Sequence, residues 1–127
     1  MKRLYKILVV DDSPFIIQEI KKEIEKTNME HIVMVANGTE DAKRKLHLVH
    51  PDIMISDILL EDGQGLDLIH QAANTDLPTK CLVLTHCTHA AFQKQAKENG
   101  ASLVVDKGFE MMQLGKIIQQ MVHQTLN

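Results

Sequence analysis

A chain of 127 residues, 44% apolar and 24% charged, is long enough for one hydrophobic core and too balanced in composition for a disordered or fibrous protein. A formal charge of −3 leaves no basic surplus for nucleic-acid phosphates, and the aromatic set of Tyr5, Phe15, Phe92 and Phe109 is too sparse for base stacking. No apolar stretch approaches the roughly 20 residues of a membrane-spanning helix, and the basic start at Met1–Lys6 runs into aspartates rather than a secretory signal, so a cytoplasmic setting is expected.

The first apolar run, Ile7-Leu8-Val9-Val10, is followed by Asp11-Asp12 and by Ser13-Pro14, a helix cap with a first-turn proline. Ile16, Ile17, Ile20 and Ile24 then share one helical stripe. A second run, Ile32-Val33-Met34-Val35, leads to Asn37 and Glu40 at capping-box spacing, with Ala42, Leu46 and Val49 as the apolar positions of the next helix. The third run, Ile53-Met54-Ile55, ends in Ser56-Asp57 and precedes a stripe of Leu66, Leu68, Ile69 and Ala73.

Cys81-Leu82-Val83-Leu84 forms the fourth run, closed by Thr85, and Ala91, Phe92 and Ala96 lead to a helix stop at Asn99-Gly100. The fifth, Leu103-Val104-Val105, ends in Asp106-Lys107, and Met111, Leu114, Ile118, Met121 and Val122 mark a last helix. All five runs are continuously apolar, which predicts strands buried on both faces of a parallel sheet. Strand and helix alternating in this way predict right-handed crossovers in an α/β domain spanning residues 1–127, with no length left for an output domain. Cys81, inside a run, reads as a buried small hydrophobe, and Met111, Met112 and Met121 read as core.

The polar residues carry the chemistry. In an open parallel sheet, ligands bind beyond the carboxyl ends of the strands. Asp11, Asp12, Asp57, Thr85 and Lys107 all fall there, from four separate segments. Three neighbouring carboxylates repel one another unless one is protonated or a cation lies among them. Mg²⁺, a hard and partly hydrated ion, needs only one or two carboxylates beside a phosphate oxygen. Phosphoryl transfer asks mainly for positioning and charge neutralisation, which Mg²⁺, Lys107 and the Thr85 hydroxyl would supply while a carboxylate acts as nucleophile.

The stretches Ile7–Ser13, Pro51-Asp52-Ile53, Asp57–Leu60, Gly63–Leu68, Val83-Leu84-Thr85, Gly100-Ala101 and Asp106-Lys107 together resemble the receiver domain of bacterial two-component response regulators, in its stand-alone, chemotaxis-type form. The resemblance implies a doubly wound, flavodoxin-like sheet of five parallel strands in order 2-1-3-4-5, with helices on both faces. It implies Asp57 as phosphoacceptor and a Mg²⁺ site of Asp11, Asp12, Asp57 and the backbone carbonyl of Leu59. Thr85 is then the switch hydroxyl and Lys107 the phosphoryl-pairing cation. The donor is a phosphohistidine on a sensor histidine kinase or phosphotransfer protein, and a downstream protein is the target. The expected molecule is a monomer or weak dimer that binds neither nucleic acid nor membrane and performs no chemistry beyond its own phosphorylation and dephosphorylation.

Four positions depart from the family pattern. Val104 replaces the usual aromatic residue, so a swinging ring cannot carry the signal. Gly108 follows Lys107 where a cis-proline is usual, and since a cis non-proline bond costs about 2.5–4 kcal/mol, a trans Lys107–Gly108 peptide is expected. His86 replaces a small residue after Thr85 and reads as a solvent-facing loop histidine; with His89 alone it does not suggest a second metal. Leu59, apolar where many relatives are polar, suggests slow self-dephosphorylation. A receiver-like adaptor that does not switch by phosphorylation is the competing interaction-class reading, motivated by Val104 and Gly108. An aspartyl-phosphate hydrolase would place an Asp-x-Asp motif after the first strand, which Asp11-Asp12-Ser13 is not. A flavin binder would need an anion-accepting turn there, which two aspartates oppose.

Overall fold

The computed structural model describes residues 3–58, 65–75, 78–86, 89–108 and 110–126. Strand and helix alternate as β1 (Leu4–Val10), α1 (Pro14–Glu25), β2 (Glu30–Ala36), α2 (Thr39–Val49), β3 (Ile53–Ser56), α3 (Gly65–Ala73), β4 (Lys80–Thr85), α4 (Ala90–Glu98) and β5 (Ala101–Asp106). A 3₁₀ turn at Met111–Gln113 then runs into α5 (Leu114–Leu126). The strands pair in parallel in the order β2-β1-β3-β4-β5, the topology expected.

Side chains of successive strand residues point to opposite faces, and β1 shows the consequence. Ile7 and Val9 join Ile17, Ile20 and Ile24 of α1 and Leu114, Ile118, Met121 and Val122 of α5 in one core. Leu8 and Val10 join Ala42 of α2, Leu68, Ile69 and Ala72 of α3 and Ala96 of α4 in the other. Burial on both faces holds for the inner strands; the outer strands β2 and β5 keep exposed residues such as Ile32 and Leu103. An edge strand is covered less completely by its helices, which an apolar run alone does not reveal. In β5 the register slips so that Ser102 is an extra residue between the partners of Cys81 and Leu82, a local bulge.

Helix ends follow local chemistry. The Ser13 hydroxyl accepts the Ile16 N–H at 3.3 Å and Pro14 occupies the first turn, as the sequence suggests. The Asn37–Glu40 box does not form. Gly38 is the N-cap of α2, with no side-chain cap bond, so the helix starts at Thr39 and Glu40 stands one position too early to reach back. The predicted stop after α4 is present, with Gly100 at φ 113. Met111 and Met121 are core as expected, but Met112 is 84% exposed, because the 3₁₀ turn rotates it away from the buried stripe.

Two glycines permit close approaches. A Cβ at Gly65 would stand 2.1 Å from the Ile58 carbonyl oxygen, so the start of α3 lies directly against the chain leaving β3. A Cβ at Gly115 would meet the Glu23 carbonyl oxygen at 2.7 Å, so α5 crosses α1 at backbone distance. Glu23 itself is buried, and its carboxylate accepts the Gly115 N–H at 3.2 Å while pairing with Lys26 at 2.5 Å. A carboxylate at a helix N-terminus meets both an orphan N–H and the positive end of the helix dipole.

Candidate functional site

At the carboxyl edge of the sheet two of the expected carboxylates, Asp11 and Asp57, meet the Lys107 ammonium, and Thr85 stands at the neighbouring strand end. The ladders continue one residue past the strands. Asp57 N–H donates to the Val10 carbonyl at 3.2 Å, Asp11 N–H to the Ala36 carbonyl at 3.4 Å, and Lys107 N–H to the Thr85 carbonyl at 3.0 Å. Asp11 and Asp57 therefore leave adjacent strands side by side, while Lys107 leaves β5 at the level of Thr85. Its side chain reaches both aspartates, with Nζ 2.8 Å from Asp11 Oδ2 and 2.6 Å from Asp57 Oδ2.

Lys107 and Asp11 are buried, and Asp57 is only slightly open to solvent. Burial alone would push the lysine ammonium down. Its hydrogen bonds and attraction to Asp11 and Asp57 outweigh this and hold its pKa above the usual lysine value. Two carboxylates on one ammonium leave one negative charge in excess before the exposed Asp12 is counted. Asp11 is fixed further by its Oδ1, which accepts the Ser13 N–H at 2.9 Å and ties it to the cap of α1. Thr85, 1% exposed, is the last residue of β4 and pairs with Asp106.

The other expected positions divide. Leu59, Leu60, Gly63 and Gln64 lie outside the described residues, and so does the expectation built on Leu59. His86 and His89 are exposed, with His89 the N-cap of α4, and among the described residues no group of three His, Cys, Asp or Glu is gathered as a metal cage. Val104 is half-buried against the core beneath α4. The Lys107–Gly108 peptide is trans. Cys81 is buried, which pushes its thiol up to about 12.

Glu110 escaped the sequence reading. Its Oε1 accepts the Asp106 N–H at 3.0 Å, and its own N–H donates to the Asp106 carbonyl at 3.0 Å. The only signal was its four-residue spacing from Asp106, which ordinarily suggests a pair on a helix rather than a closed loop.

The response regulator receiver domain model matches residues 7–119. The chain belongs to the response regulator receiver domain family. It is 28% identical over 82 residues to transcriptional regulatory protein CitB of Klebsiella pneumoniae, covering 65% of this chain and 35% of that protein. It is 30% identical over 105 residues to chemotaxis protein CheY of Thermotoga maritima, covering 83% of this chain and 87% of that protein. Among solved structures, a LuxR-family two-component response regulator from Aurantimonas sp. SI85-9A1 superposes with a TM-score of 0.84 at 25% identity, covering 96% of this chain and 87% of that one. The chain thus spans about a third of the length of CitB and most of the length of the Thermotoga maritima CheY. As a receiver domain it is a component of two-component signalling. Among its described residues, no helix is long and apolar enough to cross a membrane.

Proposed function

We propose that this receiver domain, spanning residues 1–127, takes a phosphoryl group onto Asp57 from a phosphohistidine of a sensor histidine kinase or phosphotransfer protein, in the cytoplasm. The observation that supports this most is the buried Lys107 ammonium bridging Asp11 and Asp57 at the carboxyl edge of the sheet. A carboxylate oxygen of Asp57 forms the new O–P bond as the N–P bond to the donor imidazole breaks, and the departing imidazole regains its lone pair and takes up a proton from solvent. Lys107, already held against Asp57, neutralises one oxygen of the transferring group. The Thr85 hydroxyl, at the adjacent strand end, donates to another. The largely buried setting strengthens these interactions relative to water.

A divalent cation suits the residues present. The donors are hard carboxylate oxygens with a surplus of negative charge, and Mg²⁺ ordinarily keeps several waters instead of occupying an all-protein cage. Asp11, Asp12, Asp57 and the Leu59 backbone carbonyl would hold it. When bound, it would neutralise charge on the transferring phosphoryl oxygens.

Phosphorylation would shift an existing equilibrium toward a state that binds a downstream protein. With Val104 on β5, that shift does not use a rotating aromatic ring. The test is incubation with a small phosphodonor and Mg²⁺, read by intact mass. Wild type should carry a phosphoryl adduct and Asp57→Asn should not. A wild type without adduct sinks the reading and leaves the non-switching adaptor in its place; a mutant with the same adduct sinks Asp57 as the acceptor.

A further inference from the structure

We infer that Glu110 is a positioning residue for Lys107, acting through a carboxylate clasp that closes the loop after β5 and does the work of the proline this chain lacks. The inference rests on the phosphoacceptor reading of Asp57 and adds to it a residue outside the five expected ones.

The need for such a device follows from side-chain physics. A lysine carries about 2 kcal/mol of rotamer entropy, so holding its ammonium between two carboxylates requires a well-fixed backbone beneath it. The next residue is Gly108, the least restrictive residue for the backbone. Rigidity must therefore come from hydrogen bonds, and the loop is unusually supplied with them. Glu110 and Asp106 exchange a reciprocal pair, Asp106 N–H to Glu110 Oε1 and Glu110 N–H to the Asp106 carbonyl, each at 3.0 Å. Asp106 Oδ1 accepts the Gly108 N–H at 2.7 Å, and Lys107 N–H donates to the Thr85 carbonyl at 3.0 Å. The backbone N–H groups on both sides of Lys107, and its own, are thus all engaged, two of them by carboxylates, which make the stronger charge-assisted kind of bond.

The direction of the Glu110 side chain argues against an ordinary capping role. Glu110 is the N-cap of the 3₁₀ turn, yet its side chain makes no cap bond to that turn. It turns back to the last residue of β5 instead. Asp106 pairs with Thr85 in the sheet, so the clasp ties the lysine loop to the strand end that carries the hydroxyl.

The experiment compares wild type, Glu110→Ala and Glu110→Gln in three measurements: phosphodonor-driven adduct formation on Asp57, amide hydrogen exchange at Asp106, and NMR relaxation of the Lys107 side chain. Glu110→Ala should slow adduct formation about tenfold, of the order expected when a reacting group is misplaced by less than an ångström. It should also speed exchange at Asp106 and loosen the Lys107 side chain, with Asp57 still the acceptor. Glu110→Gln, whose amide oxygen can still accept the Asp106 N–H, should restore most of the rate and the Lys107 order. Unchanged Lys107 relaxation in Glu110→Ala overturns the inference, and so does a glutamine variant as impaired as the alanine one, which would point to charge alone. If wild type forms no adduct, the phosphoacceptor reading fails, while the exchange and relaxation measurements still decide whether the clasp orders Lys107.

Discussion

On one face of the sheet α1 and α5 bury Ile17, Ile20, Ile24, Leu114, Ile118, Met121 and Val122; on the other, α4 buries Ala96 fully and Phe92 only in part. The two sides differ in their ends as well. α1 begins at a bonded Ser13 cap with Pro14, and α5 begins on the buried Glu23 carboxylate, whereas α4 begins at His89 with no side-chain cap. Apolar burial contributes roughly 25 cal/mol per Å², so the large side chains of α1 and α5 hold the first face more firmly than Ala96 and the half-buried Phe92 hold α4. The site stands at the junction. Asp11 is tied to the cap of α1, while Thr85 leads toward α4 and Lys107 leaves the edge strand β5. A change at Asp57 therefore meets a firm support on one side and a lightly held helix on the other, and the lightly held part is where a small free-energy difference can move structure.

That contrast can be broken most directly in the cores. Ile20→Ala should cost about 2–5 kcal/mol in urea unfolding, whereas Ala96→Gly should cost about 1 kcal/mol, most of it helix propensity. Equal losses would mean that α4 is held as firmly as α1. Next in size is Gly115→Ala, whose new methyl group would press on the Glu23 carbonyl at 2.7 Å. Forcing α1 and α5 apart should cost about 1–3 kcal/mol, and an unchanged melting temperature would show that their close crossing is not needed. The smallest expected effect is a gain. His89→Ser supplies the missing cap of α4 and should stabilise the protein by about 0.5–1 kcal/mol. It should also reduce amide exchange in α4 while leaving α1 unaltered; uniform slowing would argue that the helices open together.

Much of this was legible in the sequence because it depends on neighbours along the chain. Apolar runs marked every strand, isoleucines four apart marked α1, and Ser13-Pro14 marked its start. The grouping of Asp11, Asp57 and Lys107 was legible because parallel strands deliver their ends to one edge. What stayed hidden depends on distance or on a one-residue shift. The burial of Glu23 leaves no local signal, since its partner Gly115 is 92 residues away. The Asn37–Glu40 spacing fitted a capping box, yet α2 starts at Thr39, where Glu40 cannot close it. Glu110 gave no signal, because a side chain folding back over a loop leaves no periodic trace.

The burial of Cys81 has a practical consequence. It lies on β4 in the core shared with α3 and α4, and its thiol, pushed up to about 12, stays protonated and out of reach of alkylating reagents in the closed protein. Reaction there requires this face of the sheet to come apart. With Cys87 replaced, Cys81 becomes a chemical clock for the core under α3 and α4, and its labelling rate with and without phosphodonor records how often that core opens.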